Sequence, residues 1–385
     1  MKSAALEAEI NAQKIVDWLI DGAPSAPTSD VVLTQLCEQL VQAGVPLWRS
    51  AVFVRTLHPE IMGRRFLWRE GEKTAVDDAP YSTLDTATYH ISPVNAVLLS
   101  GEPFRRRLPD AASAADMEIL VSQQAQGATD YLAFPMRFTD GSLHVATWTT
   151  RAPGGFSEAA RVTLAAVVRA LARVAEIRAL RRTADNLLDA YVGRQAGARI
   201  LAGKIRRGHA ENIQAVIWYS DMRGFTALSD RIPAREVVAL LNDYFDCQTP
   251  AITRFGGEVL KYMGDGLLAV FPTPEEETQA VCARALEAAR EARVAVAKLP
   301  NVRFGLALHV GEVLFGNIGG GGRLDFTCIG PAVNLAARIE KVAAKLGETV
   351  VASAAFARAC PEGLRPLGAH TLAGISAPQD VYAVN

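Results

Sequence analysis

The chain has 385 residues, in which 40 Lys and Arg balance 41 Asp and Glu to give a formal net charge of −1. This length is sufficient for two or three domains, each with a core of its own. The balanced charge gives no overall positive field, so we expect no nucleic-acid partner. Five scattered cysteines without CxxC spacing argue against a disulfide framework and against structural zinc.

The first residues and the hydropathy of the chain predict its compartment. No signal peptide begins the sequence, and no apolar run approaches the roughly 20 residues that cross a bilayer. Together with the odd number of cysteines, these features predict a cytoplasmic protein without a membrane span.

The first part of the chain, residues 1–155, is expected to form an N-terminal α/β domain. Two amphipathic helices are followed by four strands, of which the last two form a hairpin through Thr139-Asp140-Gly141. The predicted elements are 4–22, 29–43, 47–56, 65–69, 131–138 and 142–149.

Residues 156–207 predict a helical linker. From residue 171 onward, apolar or small residues recur at steps of three or four, namely Leu171, Val174, Ile177, Leu180, Ala184, Leu187 and Tyr191. This pattern suits a parallel two-helix coiled coil. A single helix that packs on its own domain is the alternative.

The order of these elements resembles a GAF-type sensor domain over residues 28–178. Helices, strands and a Pro-x-x-x-x-Asp-Gly hairpin lead there into a long C-terminal helix. The resemblance implies a regulatory domain with an unknown small-molecule ligand or signal. A dimerisation domain without a ligand, a PAS-like domain and an unrelated α+β module are the alternatives.

From residue 208 to 385 the pattern changes to the order βαββαβ, a ferredoxin-like arrangement, so the whole chain is predicted to be α+β. The predicted elements are a strand, a helix, two strands, a helix and a strand pair at 215–220, 235–255, 258–263, 267–271, 275–299, 303–309 and 312–318. In this topology the first and third strands are adjacent and antiparallel. Asp221, after the first strand, therefore converges with Asp265, before the third.

Two carboxylates at one sheet edge would repel each other and raise each other's pKa. A pair of Mg²⁺ ions removes that repulsion, and can activate a hydroxyl and stabilise a leaving phosphate. The segment that follows Asp221 turns toward a helix, so its backbone N–H groups can contact phosphate oxygens. Without Asp265, Asp221 could be read as a helix cap.

Three strings carry a resemblance to the class III adenylate/guanylate cyclase catalytic domain: YSDMRGFT at 219–226, GGEVLKYMGD at 256–265 and RLDFTCIGPAVNLAAR at 323–338. The resemblance implies two Mg²⁺ per site, which Mn²⁺ can replace, at Asp221, Met222 and Asp265. It also implies ATP as the substrate. The implied substrate contacts are Gly224, Phe225, Thr226, Lys261, Arg323 and Thr327.

The resemblance places Lys261 and Thr327 at the purine, where guanylate cyclases usually have Glu and Cys. A lysine donates to an acceptor on adenine, whereas guanine's N–H groups favour a carboxylate. Cys328 lies one residue past the selective position. The pair therefore favours ATP over GTP.

Asn334 and Arg338 stand four residues apart on a helix that Pro331 can begin and Gly347 can end. The resemblance implies that Asn334 orients the ribose and that Arg338 stabilises the α-phosphate in the transition state. One departure from the family is Leu372-Ala373-Gly374, where a phosphate-binding lysine often replaces the alanine.

Class III sites form across a head-to-tail dimer, so the resemblance implies a homodimer with two equivalent sites. The expected product is 3′,5′-cyclic AMP, with regulation by the N-terminal domain. A guanylate cyclase and a degenerate nucleotide-binding module with little catalysis are the alternatives. A diguanylate cyclase is disfavoured because its Gly-Gly-Asp/Glu-Glu-Phe hairpin is absent from the sequence.

Overall fold

The computed structural model describes residues 12–108, 117–274, 277–320 and 322–385. It divides into two compact units, residues 1–187 and 188–385. The predicted helix over 4–22 lies partly outside the described residues, which are helical at 12–20. In the part of the chain that the structure describes, no helix combines the length and the apolar character needed to cross a membrane.

The first unit is built on a six-stranded sheet of order β3-β2-β1-β6-β5-β4, in which all neighbours are antiparallel. Its strands are β1 (Arg49–Arg55), β2 (Ile61–Arg69), β3 (Ala75–Pro80), β4 (Phe104–Arg107), β5 (Asp130–Arg137) and β6 (Leu143–Thr150). Its helices are α1 (12–20), α2 (Ser29–Gln42), α3 (Ala87–His90), α4 (Pro93–Ser100), α5 (Glu118–Ala125) and α6 (Glu158–Val192), with a short 3-10 helix at Tyr81–Asp85.

Each face of this sheet has its own core. Trp68 and Trp148 pack with residues of α1, α2 and α6, whereas Tyr131 and Val145 pack with residues of α4 and α5. This antiparallel sheet with helices on both faces is compatible with the GAF-like fold that the sequence predicts.

The strands β3 and β4 and the helices α3 to α5 were not predicted from the sequence. The strands β3 and β4 form the two edges of the sheet, and they read Ala-Val-Asp-Asp-Ala-Pro and Phe-Arg-Arg-Arg. Charged residues on short edge strands oppose pairing with other chains. They also remove the apolar alternation by which a strand is recognised.

The helix α6 continues from the first unit into the second. Leu171 and Val174 are buried in the core of the first unit, whereas Ile177, Leu180 and Tyr191 are 67%, 63% and 81% exposed. The helix ends before Gly193, whose φ of 87° is the left-handed region that favours glycine. The helical character of the linker is therefore present, and the coiled coil stays a prediction.

The second unit contains one eight-stranded sheet in which β13-β14-β12-β10-β7-β9-β8 follow one another and β11 pairs with β10. Its strands are β7 (Ala210–Met222), β8 (Glu258–Met263), β9 (Gly266–Pro272), β10 (Phe304–Gly320), β11 (Arg323–Ile329), β12 (Val350–Ser353), β13 (Leu364–His370) and β14 (Gln379–Val384). Its helices are α7 (Arg194–Leu201), α8 (Phe225–Ser229), α9 (Ala234–Asp246), α10 (Thr249–Arg254), α11 (Thr278–Val296), α12 (Pro331–Leu346) and α13 (Ala354–Ala359).

The central order β10-β7-β9-β8 is that of the ferredoxin-like fold, and it confirms the predicted α+β architecture. The strand β7 pairs antiparallel with both β9 and β10. Residues of α11 and β10 form the main core with Trp218 and Phe271.

Two predicted elements of this unit are wrong in detail. The helix expected over 235–255 is two helices, α9 and α10, because Pro250 has no N–H to donate to the carbonyl of Asp246 and its ring would clash with that carbonyl. The strand pair expected at 303–309 and 312–318 is the single strand β10, which pairs with β7 without a break from Phe304 to Gly316. Gly311 within it makes no turn.

Candidate active site

The two aspartates of the predicted metal site lie at one edge of the sheet. Asp221 is the penultimate residue of β7, and Asp265 lies in the turn between β8 and β9. Antiparallel pairing of Ser220 with Leu267 brings the two carboxyl groups together, close enough for the charge of Asp265 to raise the pKa of Asp221. Gly264 allows the tight turn because its φ is 68°, where other residues are strained.

The environment of Asp221 disfavours its negative charge. Burial, followed by the neighbouring charge of Asp265, raises the pKa of Asp221 from 3.8 to about 7. The charge of Glu340 is a smaller cause of the same rise, and the nearby backbone of Met222 opposes it. No cation is among the causes of this shift, so the protein around Asp221 does not compensate the negative charge that Asp221 carries when it is ionised.

A divalent cation fits this pair. Mg²⁺ is usually held by one or two carboxylates together with water and substrate phosphates, so two carboxylates are a sufficient protein contribution. Among the described residues, no cluster of three or more His, Cys, Asp or Glu could hold a metal alone. The side chain of Met222 packs in the core, so only its backbone is available to the ion.

The segment after Asp221 turns into α8. Gly224 stands at the N-cap with φ 72° and ψ 19°, and Phe225 and Thr226 are the first residues of the helix. The first N–H groups of a helix have no partner within it. These residues thus present backbone donors, while the ring of Phe225 packs against the core.

Lys261 and Thr327, predicted to read the purine, lie on β8 and β11. Thr327 is buried, at 5% exposure, and its hydroxyl has no hydrogen-bond partner among the described residues. The Lys261 Nζ lies 2.5 Å from the Asp325 Oδ2. The lysine donor and the unused hydroxyl are therefore accompanied by the carboxyl group of Asp325, which was not predicted from the sequence.

Asn334 and Arg338 project from α12, which begins at Pro331 and ends before Gly347 in the left-handed conformation, as the sequence predicts. A Cβ on Gly374 would lie 3.3 Å from the Arg338 Nη2. The guanidinium of Arg338 thus lies beside the Leu372-Ala373-Gly374 loop, where the family often has a lysine.

Arg323, predicted to contact terminal phosphates, is the first residue of β11 and is exposed. None of the described residues forms an ion pair with it. Its guanidinium is therefore available to a ligand.

One carboxylate beside the aspartates was not predicted from the sequence. Glu340 of α12 is buried and approaches Gly305 so closely that a Cβ there would collide with its carboxylate. Gly305 is the β10 partner of Asp221. Burial raises the pKa of Glu340, while the nearby Arg223 lowers it. Glu340 is 119 positions from Asp221 in the sequence. Its carboxylate could therefore be placed near Asp221 only from the folded structure, in which β7 pairs with β10.

The missed residue Asp325 had a signal in the sequence. In a strand, residues two apart point to the same face, so Asp325 shares the face of Thr327. The alternation of side chains along β11 therefore places Asp325 beside the purine site together with Thr327.

The second unit is similar in sequence to a known family and to curated proteins. Residues 209–358 match the family described as the adenylate and guanylate cyclase catalytic domain. Over 167 residues the chain is 32% identical to an adenylate cyclase of Anabaena cylindrica, covering 41% of this chain and 33% of the relative. Over 176 residues it is 31% identical to adenylate cyclase 1 of Rhizobium meliloti, covering 43% of this chain and 26% of the relative.

The chain thus spans about a third or less of the length of these curated relatives. A bacterial light-regulated adenylyl cyclase of known structure is 28% identical, with a TM-score of 0.45, over 54% of this chain and 63% of that chain. Together with the three sequence strings and the ferredoxin-like order of the strands, the matched segment identifies the second unit. Over residues 209–358, the chain contains a catalytic domain of the class III adenylate and guanylate cyclase family.

Proposed function

We propose that the protein is an adenylate cyclase that converts ATP to 3′,5′-cyclic AMP and pyrophosphate. The observation that carries the proposal is the juxtaposition of Asp221 and Asp265 at the sheet edge, where the pairing of β7 with β9 brings them together. Two carboxylates with uncompensated charge suit the divalent cations that accompany a nucleoside triphosphate. Bound there, two such ions would activate the ribose 3′-hydroxyl and stabilise the charge on the α-phosphate.

In the proposed reaction the ribose 3′-oxygen forms a bond to the α-phosphorus, and the bond from that phosphorus to the bridging oxygen of the β-phosphate breaks. Pyrophosphate leaves, and the hydroxyl proton passes to water. Asn334 would orient the ribose, and Arg338 would donate hydrogen bonds to the α-phosphate oxygens. The backbone N–H groups of Phe225 and Thr226 would bind phosphate oxygens.

The choice of ATP rests on Lys261 and Thr327. Adenine offers ring acceptors, which suit the lysine, and its amino group can donate to the hydroxyl of Thr327. That hydroxyl is buried without a partner, and such a group favours a ligand that completes its hydrogen bonds. A guanylate cyclase stays the main alternative because the matched family includes both activities.

Initial rates with ATP and GTP, each with Mg²⁺ and with Mn²⁺, test the substrate. We expect cyclic AMP as the principal product. A higher kcat/KM for GTP would overturn the adenylate assignment, and no turnover of either nucleotide would favour the degenerate module. The loss of a lysine at Ala373 supports that last alternative, and the position of Arg338 beside Gly374 supplies a cation to the same loop.

We also propose that two copies of the chain share each site, with the aspartates from one and Lys261, Thr327, Asn334 and Arg338 from the other. Mixing the variants Asp265→Ala and Arg338→Ala tests this arrangement. Each variant alone would be inactive, but a mixed dimer would keep one intact site of its two. Statistical mixing would then restore about a quarter of the wild-type activity. No recovery on mixing, with mixed dimers demonstrated, would contradict the shared site.

Regulation by the N-terminal unit belongs to the same proposal. The helix α6 runs for 35 residues and continues from the first unit into the second, so a change in the first unit can be transmitted along it. Inserting seven residues after Arg181 preserves the heptad phase, whereas inserting four rotates one end relative to the other. We expect the insertion of four residues to change the basal rate more. Equal effects of both insertions would contradict this route.

A further inference from the structure

The first unit contains a cavity of about 390 Å³, within the range of small-molecule sites. It lies on the sheet face opposite α2 and α6, between the strands and the segment that contains α3 and α4. Much of its lining is apolar, including Ala51, Phe53, Val94, Leu98 and Ile119.

A buried charged side chain that lines this cavity lacks a counter-ion among the described residues. Arg49 begins β1 and is only 8% exposed, and it lines the cavity. Across the described residues, no side chain forms an ion pair or a hydrogen bond with its guanidinium. Burial of a charge without a partner is costly, so this position calls for an explanation.

The charged neighbours of Arg49 on β2 are arginines, which do not neutralise its charge. Its cross-strand partner on β2 is Arg69, and Arg65 lies on the same face. Arg65 is paired with Asp77 at 2.7 Å and Arg69 with Glu72 at 3.2 Å, so each of these has a carboxylate. Burial and then the charge of Arg69 lower the pKa of Arg49 to about 10. Arg49 therefore stays charged at neutral pH.

Neutral hydrogen-bond donors accompany the cation. Gln123 is buried, and its Oε1 accepts from the Thr149 Oγ1 at 2.7 Å, so its amide N–H₂ is left to the cavity that it lines. Thr149 is the cross-strand partner of Arg49. Tyr131 also lines the cavity, and burial raises the pKa of its phenol, so its hydroxyl stays protonated.

From this geometry we propose that the cavity binds a small organic anion, with its acid group on Arg49 and Gln123 and its apolar body against Phe53, Val94 and Leu98. The planar guanidinium matches the oxygens of a carboxylate or a phosphate ester. The apolar lining excludes a bare inorganic ion as the natural occupant, since such an ion would leave most of the cavity unfilled.

Thermal unfolding of the full chain tests the proposal with three matched probes: phenylacetate, phenyl phosphate and the neutral phenylacetamide. We expect at least one of the two anions to raise the unfolding temperature of the first unit more than phenylacetamide does. A larger shift with phenylacetate assigns a carboxylate ligand, and a larger shift with phenyl phosphate assigns a phosphate ester.

Two variants test the role of the cation. Arg49→Met keeps the length of the side chain without its charge, and should abolish the shift by anions while unfolding at or above the wild-type temperature. Gln123→Glu introduces a carboxylate near Arg49, and should also abolish the shift while stabilising the protein without a ligand. It serves as the test if Arg49→Met does not fold. Arg151→Met is the control, because Arg151 lies over the ring of Trp48 and outside the cavity lining.

Three results would overturn the proposal. The first is that no anion stabilises the wild-type protein, and the second is that phenylacetamide stabilises it equally. The third is a shift by anions that persists in both Arg49→Met and Gln123→Glu, since the ligand would then bind elsewhere.

Discussion

The substitution Asp265→Asn should stabilise the protein in the absence of metal, although it removes a residue proposed for catalysis. The pKa of Asp221 lies at about 7 rather than 3.8 because of burial, and then because of the charge of Asp265. An acid whose pKa is higher in the folded state binds its proton more tightly there. The folded state therefore loses stability as pH rises from about 4 to about 7, and the loss is complete above that window.

The size of this effect follows from the same pKa. Each tenfold change in proton affinity corresponds to about 1.4 kcal/mol, so a fully enclosed group with this pKa would lose about 4 kcal/mol. Asp221 is only half-buried, and solvent screens its charge, which reduces the loss to about 1–2 kcal/mol. Asparagine removes the repulsion by Asp265 but not the burial, and should recover about 1 kcal/mol. For a unit of this size, that is about 2–4 °C.

Thermal unfolding at pH 8, with EDTA or with MgCl₂, measures both parts of the prediction. With EDTA the Asp265→Asn variant should unfold above the wild type, and at pH 5 the difference should shrink because Asp221 becomes protonated. Mg²⁺ should stabilise the wild type but not the variant. Asp380→Asn, an exposed change on β14, is the control. A lower unfolding temperature of Asp265→Asn at pH 8 without metal would refute the reasoning.

Three further predictions concern the purine site and the linker. Asp325→Asn removes the exposed ion pair, worth at most about 1 kcal/mol, by which Asp325 would position Lys261 for the purine. The KM for ATP should therefore rise up to about fivefold in initial-rate assays, with little change in unfolding temperature. An unchanged KM would show that Asp325 does not position Lys261. The double variant Lys261→Glu with Thr327→Cys should lower the ratio of kcat/KM for ATP to that for GTP, and an unaltered ratio would mean that other residues read the purine. Ile177→Asp should weaken a dimer measured by light scattering. Val162→Asp should not, because Val162 is 62% exposed on the same helix but is not one of the predicted coiled-coil positions. Equal dimerisation of both variants would contradict the coiled coil.

Local sequence signals were sufficient for the centre of the second unit. The strand order follows from the sequence of elements, because a βαββαβ chain has few ways to form one sheet. That order alone brought Asp221 to Asp265. The bounds of α12 were also predictable, since Pro331 and Gly347 have strong positional preferences at helix ends.

Features that depend on long-range packing were not predictable in this way. Gly311 resembles a turn residue in isolation, and only its pairing with β7 shows that β10 continues through it. Glu340 reaches the aspartates because Gly305 leaves room for its carboxylate. Charged residues are plentiful near Arg49 in the sequence, so only the folded unit shows that none of its described residues pairs with Arg49.

Under the proposed function, the preference for adenine depends on how the hairpin of β10 and β11 packs. Lys261 belongs to the edge strand β8, whereas Thr327 belongs to β11, which joins the sheet only through β10. The separation of the two proposed purine readers is therefore set by how the hairpin lies over β8. Phe315 and Phe326 contact each other edge to face within it, with ring centroids 4.8 Å apart. Under the proposed function, evolution could retune the preference for adenine through these two rings, neither of which is among the proposed nucleotide contacts.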